Sequence, residues 1–223
     1  MWKSGGVNEQ VEPGPGQAAL RSAQLLVSAS EVCFEALSPF IERDWRSVRA
    51  RDLDWSVWDT VVHVNDDLYF YAAQILLADE GDYICFELAA DDHATPERLL
   101  AALAVQARLL ATTVTVADPG SRAHHVCGAS DPVGFAAMGV VETLIHTYDA
   151  VHGLDGASTW RPPNDLAAPV LTRLFPHTPA GAANAPGELL LHMCGRIPLG
   201  DRPRQTDWRW YGAAPHSGPA NAL

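Results

Sequence analysis

Glu142 and His146 stand four residues apart in Phe135–Asp149, a segment otherwise apolar enough for a buried helix. Four residues turn a helix by about 400°, so the two side chains point the same way, one turn apart. Phe135, Met138, Ile145 and Asp149 share that face by the same arithmetic. A carboxylate on such a surface is costly unless something pairs with it. A divalent metal would do so, and Glu-x-x-x-His is a spacing at which a helix presents ligands.

A third donor comes from a second helix. Between Val57 and Ala78 the apolar residues Val57, Val61, Val64, Leu68, Tyr71 or Ala72, and Ile75 form one stripe. His63 lies roughly 120° from the centre of that stripe, so it faces a second neighbour or a pocket. Taken alone, a helical histidine is ordinarily a surface or hydrogen-bonded core residue. Taken with Glu142 and His146, it completes a His₂Glu set, and helix bundles build metal sites from such inward groups on facing helices. Three protein ligands leave a fourth position for water or substrate, the layout of a catalytic zinc site. Zinc is the default for N/N/O donors, with nickel, iron or manganese as alternatives. Asp149 follows His146 and Asp67 follows His63 by one turn, so each is placed to accept the second imidazole N–H and fix the tautomer, or to face solvent.

Other chemistries find less support. No Gly-x-Ser-x-Gly elbow is present, and Gly120, Gly128 and Gly134 are too scattered for a phosphate loop. Metal-assisted hydrolysis would leave only Asp67 or Asp149 as general base once Glu142 is a ligand. His124 and His125 fall in a loop that could close over the site, although adjacent loop histidines are more often solvent-exposed. His152 sits at a helix end, where a cation suits the dipole. Arg122, Arg173 and Arg196 are candidates for contacting a substrate carboxylate.

Four long helices are needed to position these groups. The first runs from Gln17 to about Arg43, with Ser38-Pro39 kinking or ending it early. The second, Val57 to Ala78, opens on Ser56 as N-cap with Asp59 in its first turn. Residues 82–94 read as an acidic irregular segment, Tyr83–Phe86 being the one place for a short strand. Thr95-Pro96-Glu97 starts the third helix, which runs to about Val116 and stops at Asp118-Pro-Gly120. Asp131-Pro132 caps the fourth, which ends near His152-Gly153. Short helices are predicted from Pro163-Asn164-Asp165 to Phe175 and from Gly187 to Cys194, with Trp208-Arg-Trp210 packing on the main body. The expected fold is all-α, an up-down four-helix bundle over 17–158, after a disordered tail at 1–16 and before a Pro-rich helical extension at 159–223.

Composition excludes several classes of partner. A formal charge of −12, with only 15 Lys+Arg, argues against nucleic acid. Apolar stretches read as interrupted short of the roughly 18 residues a membrane span needs, and Met1–Gly6 lacks the apolar region of a signal peptide. Cys33, Cys85, Cys127 and Cys194 lie far apart without a Cys-x-x-Cys pair, as in reduced cytoplasmic thiols. A cytoplasmic protein is expected, with oligomeric state open and a homodimer allowed.

At these residues the chain resembles a known family. Asp54-Trp-Ser-Val-Trp-Asp-Thr-Val-Val-His63 is similar to the W-S/T-V-x-D-x-x-x-H signature of the mycothiol-dependent maleylpyruvate isomerase N-terminal domain, within the DinB/YfiT-like metalloenzyme superfamily. Gly139–Asp149 is similar to its second motif, E-x-x-x-H-x-x-D, and the likeness covers roughly 17–153. The resemblance implies a DinB-like bundle with zinc held by His63, Glu142 and His146. It also implies a small thiol cosubstrate, mycothiol, and an S-transferase or isomerase acting on a small electrophile. The alternative is a DinB-fold binding or accessory protein with a structural or vestigial metal and no turnover. Two features depart from the family. Trp58 stands where a basic residue is common, and residues 160–223 replace the family's α/β sterol-carrier-like domain.

Overall fold

In a computed structural model, residues 14–178 and 185–213 are described. They form an all-α fold of helices α1 (Pro15–Leu37), α2 (Val57–Leu77), α3 (Pro96–Val116), α4 (Pro132–Leu154), α5 (Asn164–Leu174) and α6 (Pro186–Met193), with a 3₁₀ turn at Ser38–Phe40. No strand occurs among the described residues, so Tyr83–Phe86 is irregular; only isolated bridges such as Arg49 to Ser56 appear. The expected N-terminal tail lies outside the described residues up to 13, and α1 begins at Pro15, two residues before Gln17.

Local chemistry sets the helix ends. Ser56 caps α2 through a full capping box, its Oγ accepting from Asp59 N–H while the Asp59 carboxylate accepts from Ser56 N–H. Thr95 and Asp131 cap α3 and α4, each followed by a proline whose missing N–H costs nothing at the first helical position. Helix α1 ends at Leu37, short of Arg43, and passes into the 3₁₀ turn at Ser38–Phe40, because Pro39 has no N–H with which to continue the α-helical bonding.

The order of the helices differs from an up-down bundle. α1 and α2 each pack against both α3 and α4 and lie diagonally opposite one another. Leu26 reaches Gly139, and the Cys33 thiol bonds to Thr147, so α1 and α4 run parallel. Tyr71 meets Phe135 while His63 meets His146, so α2 and α4 are antiparallel. The physical reason is connection length. The segments after α1, α2 and α3 are too long for tight hairpins, which frees each helix to cross the bundle.

Gly139 marks the centre. A Cβ there would fall 2.9–3.0 Å from side-chain carbons of Leu110, Leu68 and Leu26, one from each other long helix. Its absence lets the three helices close on α4. Helix α4 is covered all along, with exposure confined to a few positions such as Glu142 and Gly153. That explains an apolar sequence without a polar face. Helix α3 is also long and apolar enough by composition to cross a membrane, contrary to the reading of short apolar stretches; 44% of its most apolar window is buried inside the fold. Beyond the bundle, α5 packs on α4 and α6 on α5.

Candidate metal centre

The structure brings His63, Glu142 and His146 together between α2 and α4. Glu142 Oε2 lies 3.1 Å from His146 Nε2 and 3.9 Å from His63 Nε2. One donor atom from each residue lies within 4.8 Å of the others. Ligands about 2.1 Å from a tetrahedral cation sit about 3.4 Å apart. The donor types suit a divalent transition metal, and the 3.1 and 3.9 Å separations bracket that spacing.

Asp149 stands behind His146. Fully buried, its Oδ2 accepts from His146 Nδ1 at 3.0 Å, which leaves Nε2 to face Glu142. Both carboxylate oxygens also receive the fork of Arg196, Nε to Oδ1 at 3.1 Å and Nη2 to Oδ2 at 2.7 Å. The end of α6 makes this reach possible. Gly195, at φ +69°, donates to His192 O while Arg196 N–H donates to Leu191 O, a Schellman turn that reverses the chain. A Cβ on Gly195 would also strike the Gln205 carbonyl at 2.8 Å.

Electrostatics follow from this packing. Burial opposes the charged imidazole of His146, yet its bonds to Asp149 and Glu142 prevail and lift it to about 9. Burial likewise opposes ionised Glu142 and Asp149, but His146 and Arg196 hold both carboxyls below their ordinary values. His63 is lowered, chiefly by burial. Burial and the nearby Glu142 charge push Asp67 up to about 9.

Asp67 departs from the expected geometry. Its Oδ2 lies 3.2 Å from His63 Nε2, the same nitrogen that faces Glu142, rather than from the opposite ring nitrogen. An i,i+4 pair fixes proximity, while the rotamers decide which nitrogen is met. Asp67 therefore stands among the donors.

The three arginines considered for substrate carboxylates are otherwise engaged. Arg196 serves Asp149, and its Nη1 donates to Cys194 O. Arg173 bonds Asp131, Ser130 and carbonyls of 211–213. Arg122 donates to the carbonyls of Pro119 and Ser121. His125 is buried against Tyr71, Phe135 and Trp210, with Nδ1 accepting from Cys127 N–H at 3.1 Å. His124 packs on Tyr83, and His152 lies between Arg51 and Arg161. Trp58 is buried under the Arg46 guanidinium, 3.6 Å from its ring centre.

A cavity of about 270 Å³ opens beside the cluster, lined by His63, Glu142, His146, Val141, Ile145, Leu53, Asp54, Arg196 and three tryptophans, Trp55, Trp208 and Trp210. Trp55 stands edge-on to His63, ring centres 4.8 Å apart. The sequence signals Trp208 and Trp210 as packing residues, but nothing in it assigns them, or Arg196, to the metal-donor cluster. No family model, curated protein or solved structure matches the chain.

Proposed function

We propose that the protein is a metal-dependent, thiol-using enzyme acting on a small electrophilic metabolite, with zinc as metal, mycothiol as thiol, and S-transfer or isomerisation as the reaction. The observation that carries this reading is the convergence of His63, Glu142 and His146 beside a cavity open to solvent, with His146 braced from behind by Asp149 and Arg196. The two sequence motifs supply the thiol and the DinB-like kinship. A reducing, cytoplasmic setting accords with four free cysteines, Cys33 and Cys194 among them buried.

His63, Glu142 and His146 would hold the metal. A divalent cation held there would supply the positive charge that lowers the pKa of a small thiol and makes its sulfur nucleophilic at neutral pH. Asp149 keeps the His146 Nδ1 proton in place, so Nε2 is the nitrogen that would face the metal. Trp55, Trp208 and Trp210 narrow the space in which water competes with the electrophile. In transfer, a C–S bond forms as the leaving group departs with its electron pair. In isomerisation, the C–S bond forms as the conjugated pair moves onto a carbonyl oxygen; rotation follows, and the pair returns as sulfur leaves.

Elemental analysis of purified protein is expected to show about one transition-metal ion per chain, lost in His63→Ala. Metal-free protein, or a His63→Ala variant that keeps full metal, overturns the reading. A second reading, a binding or accessory protein with a closed structural metal, is favoured by Asp67, whose carboxylate reaches His63 Nε2 and would supply a fourth ligand. Thiol titration separates them. An open position binds mycothiol with release of about one proton per site, whereas a closed one binds none.

A further inference from the structure

We infer that the last third of the chain carries a second ligand site, for a compact, uncharged, hydroxyl-bearing ring of the sugar type, separated from the metal cavity by Trp208. The inference goes beyond the metal-and-thiol reading and does not depend on it.

The observation that carries it is how Asp207-Trp-Arg-Trp-Tyr211 divides between two cavities. Asp207, Arg209 and Tyr211 line a cavity of about 410 Å³. Trp210 lines the metal cavity instead, and Trp208 lines both. Side chains that alternate with period two are those of an extended chain, whose successive residues point to opposite sides. One segment therefore walls two spaces. The outer one is the larger, falls within the size range of small-ligand sites, and includes no metal donor.

Its polar groups are uncommitted. Among the described residues, the side chains of Asp207, Arg209 and His177 have no hydrogen-bond or ion-pair partner. His177 stands edge-on to Tyr211, ring centres 5.1 Å apart, and the Arg209 guanidinium lies 5.6 Å from the same ring. Gln205, on the same wall, gives its Nε2 to Met193 Sδ at 3.6 Å, a weak bond that leaves the amide oxygen open. An acid and a guanidinium that share a cavity without pairing leave a strong acceptor and a strong donor for a ligand.

A hydroxyl both donates and accepts, so a ring bearing several can serve Asp207, Arg209 and Gln205 together. The ring faces of Trp208 and Tyr211 give its C–H side an apolar, polarisable surface. One carboxylate beside one guanidinium matches a neutral molecule better than an anion or a cation.

Saturation-transfer NMR on the full-length protein tests this with three probes: methyl glucoside (a neutral ring with several hydroxyls), cyclohexanol (a ring with one) and glycine (a zwitterion). Methyl glucoside is expected to bind with Kd on the order of 1 mM, and the other two about tenfold more weakly. Asp207→Ala and Arg209→Ala, both at exposed positions, should each weaken methyl glucoside about tenfold. Trp55→Ala, in the metal cavity, should leave it unchanged. Three results overturn the inference. Methyl glucoside fails to bind, cyclohexanol or glycine binds as tightly, or its affinity is lost in Trp55→Ala and kept in Asp207→Ala.

Discussion

Asp149 carries two obligations: it holds the His146 imidazole and neutralises a guanidinium that is nine-tenths buried. Asp149→Asn keeps the size and an acceptor but removes the charge. Loss of a group orienting a metal-bound histidine costs about 10–100-fold in metal affinity, and a buried charge left unpaired costs about 3–5 kcal/mol. The variant is therefore expected to lose metal to a competing chelator at correspondingly lower concentration and to melt earlier; wild-type affinity would show that His146 needs no brace. His125 supports a second expectation. Burial lowers it to about 4 from the ordinary 6.5, and its Nδ1 accepts a backbone N–H, so the folded protein holds it neutral. Between those values the unfolded chain binds a proton the native chain refuses. Stability therefore falls as pH drops through this window, by on the order of 2–3 kcal/mol, and the loss saturates below about 4. Comparing melting temperatures at pH 7 and 4.5 should show a smaller acid-induced drop in His125→Phe than in wild type; equal drops would remove His125 from the account. At this scale the sequence was legible where chemistry is local. The i,i+4 spacing of Glu142 and His146 put both on one face. Arg196 was not legible as the partner of Asp149, because the pairing spans 47 positions and depends on a turn after α6.

Periodicity and caps marked the helices closely: Ser56, Thr95 and Asp131 cap where expected, and α2 and α4 end within one or two residues of Ala78 and Gly153. Their arrangement was hidden. An amphipathic stripe says that a helix is covered, not by which neighbour, and long connections leave the order around the bundle to packing. Gly139 is where that packing is tightest. It lies one turn before Glu142, so the approach of α2 to α4 there also sets the approach of His63 to His146. Gly139→Val would place branched carbons against Leu26, Leu68 and Leu110 at once. Overpacking of this kind costs typically 1–3 kcal/mol. The variant is expected to melt several degrees lower and to bind metal more weakly, since spreading α2 from α4 separates the donors. Lower melting with unchanged metal affinity would show that the cluster tolerates a shift of the helices.

At the scale of the molecule, the last third is part of the site. Residues 159–213 contribute Arg196, Trp208 and Trp210 to the cavity, and Arg204 reaches back to Asp52 at 2.9 Å. Two further ties close the structure: Tyr211 N–H donates to Leu174 O and Gly212 N–H to Cys127 O. Composition alone suggested an extension laid beside a finished bundle, because Pro-rich texture marks short elements without showing what they cover. The burial of α4 argues for one cooperative unit instead. Its outer side is covered by α5, so removing the extension would bare apolar residues and strip Asp149 of its guanidinium in the same step. Contiguous exposed apolar surface promotes association. The full chain is accordingly expected to unfold in a single transition, with secondary structure and tryptophan fluorescence changing together. A fragment ending at residue 158 should aggregate or lack a cooperative melt and should bind no metal. A soluble fragment with a sharp transition and one bound metal would instead make the bundle an independent domain, and the tryptophan wall a later addition to a site already complete.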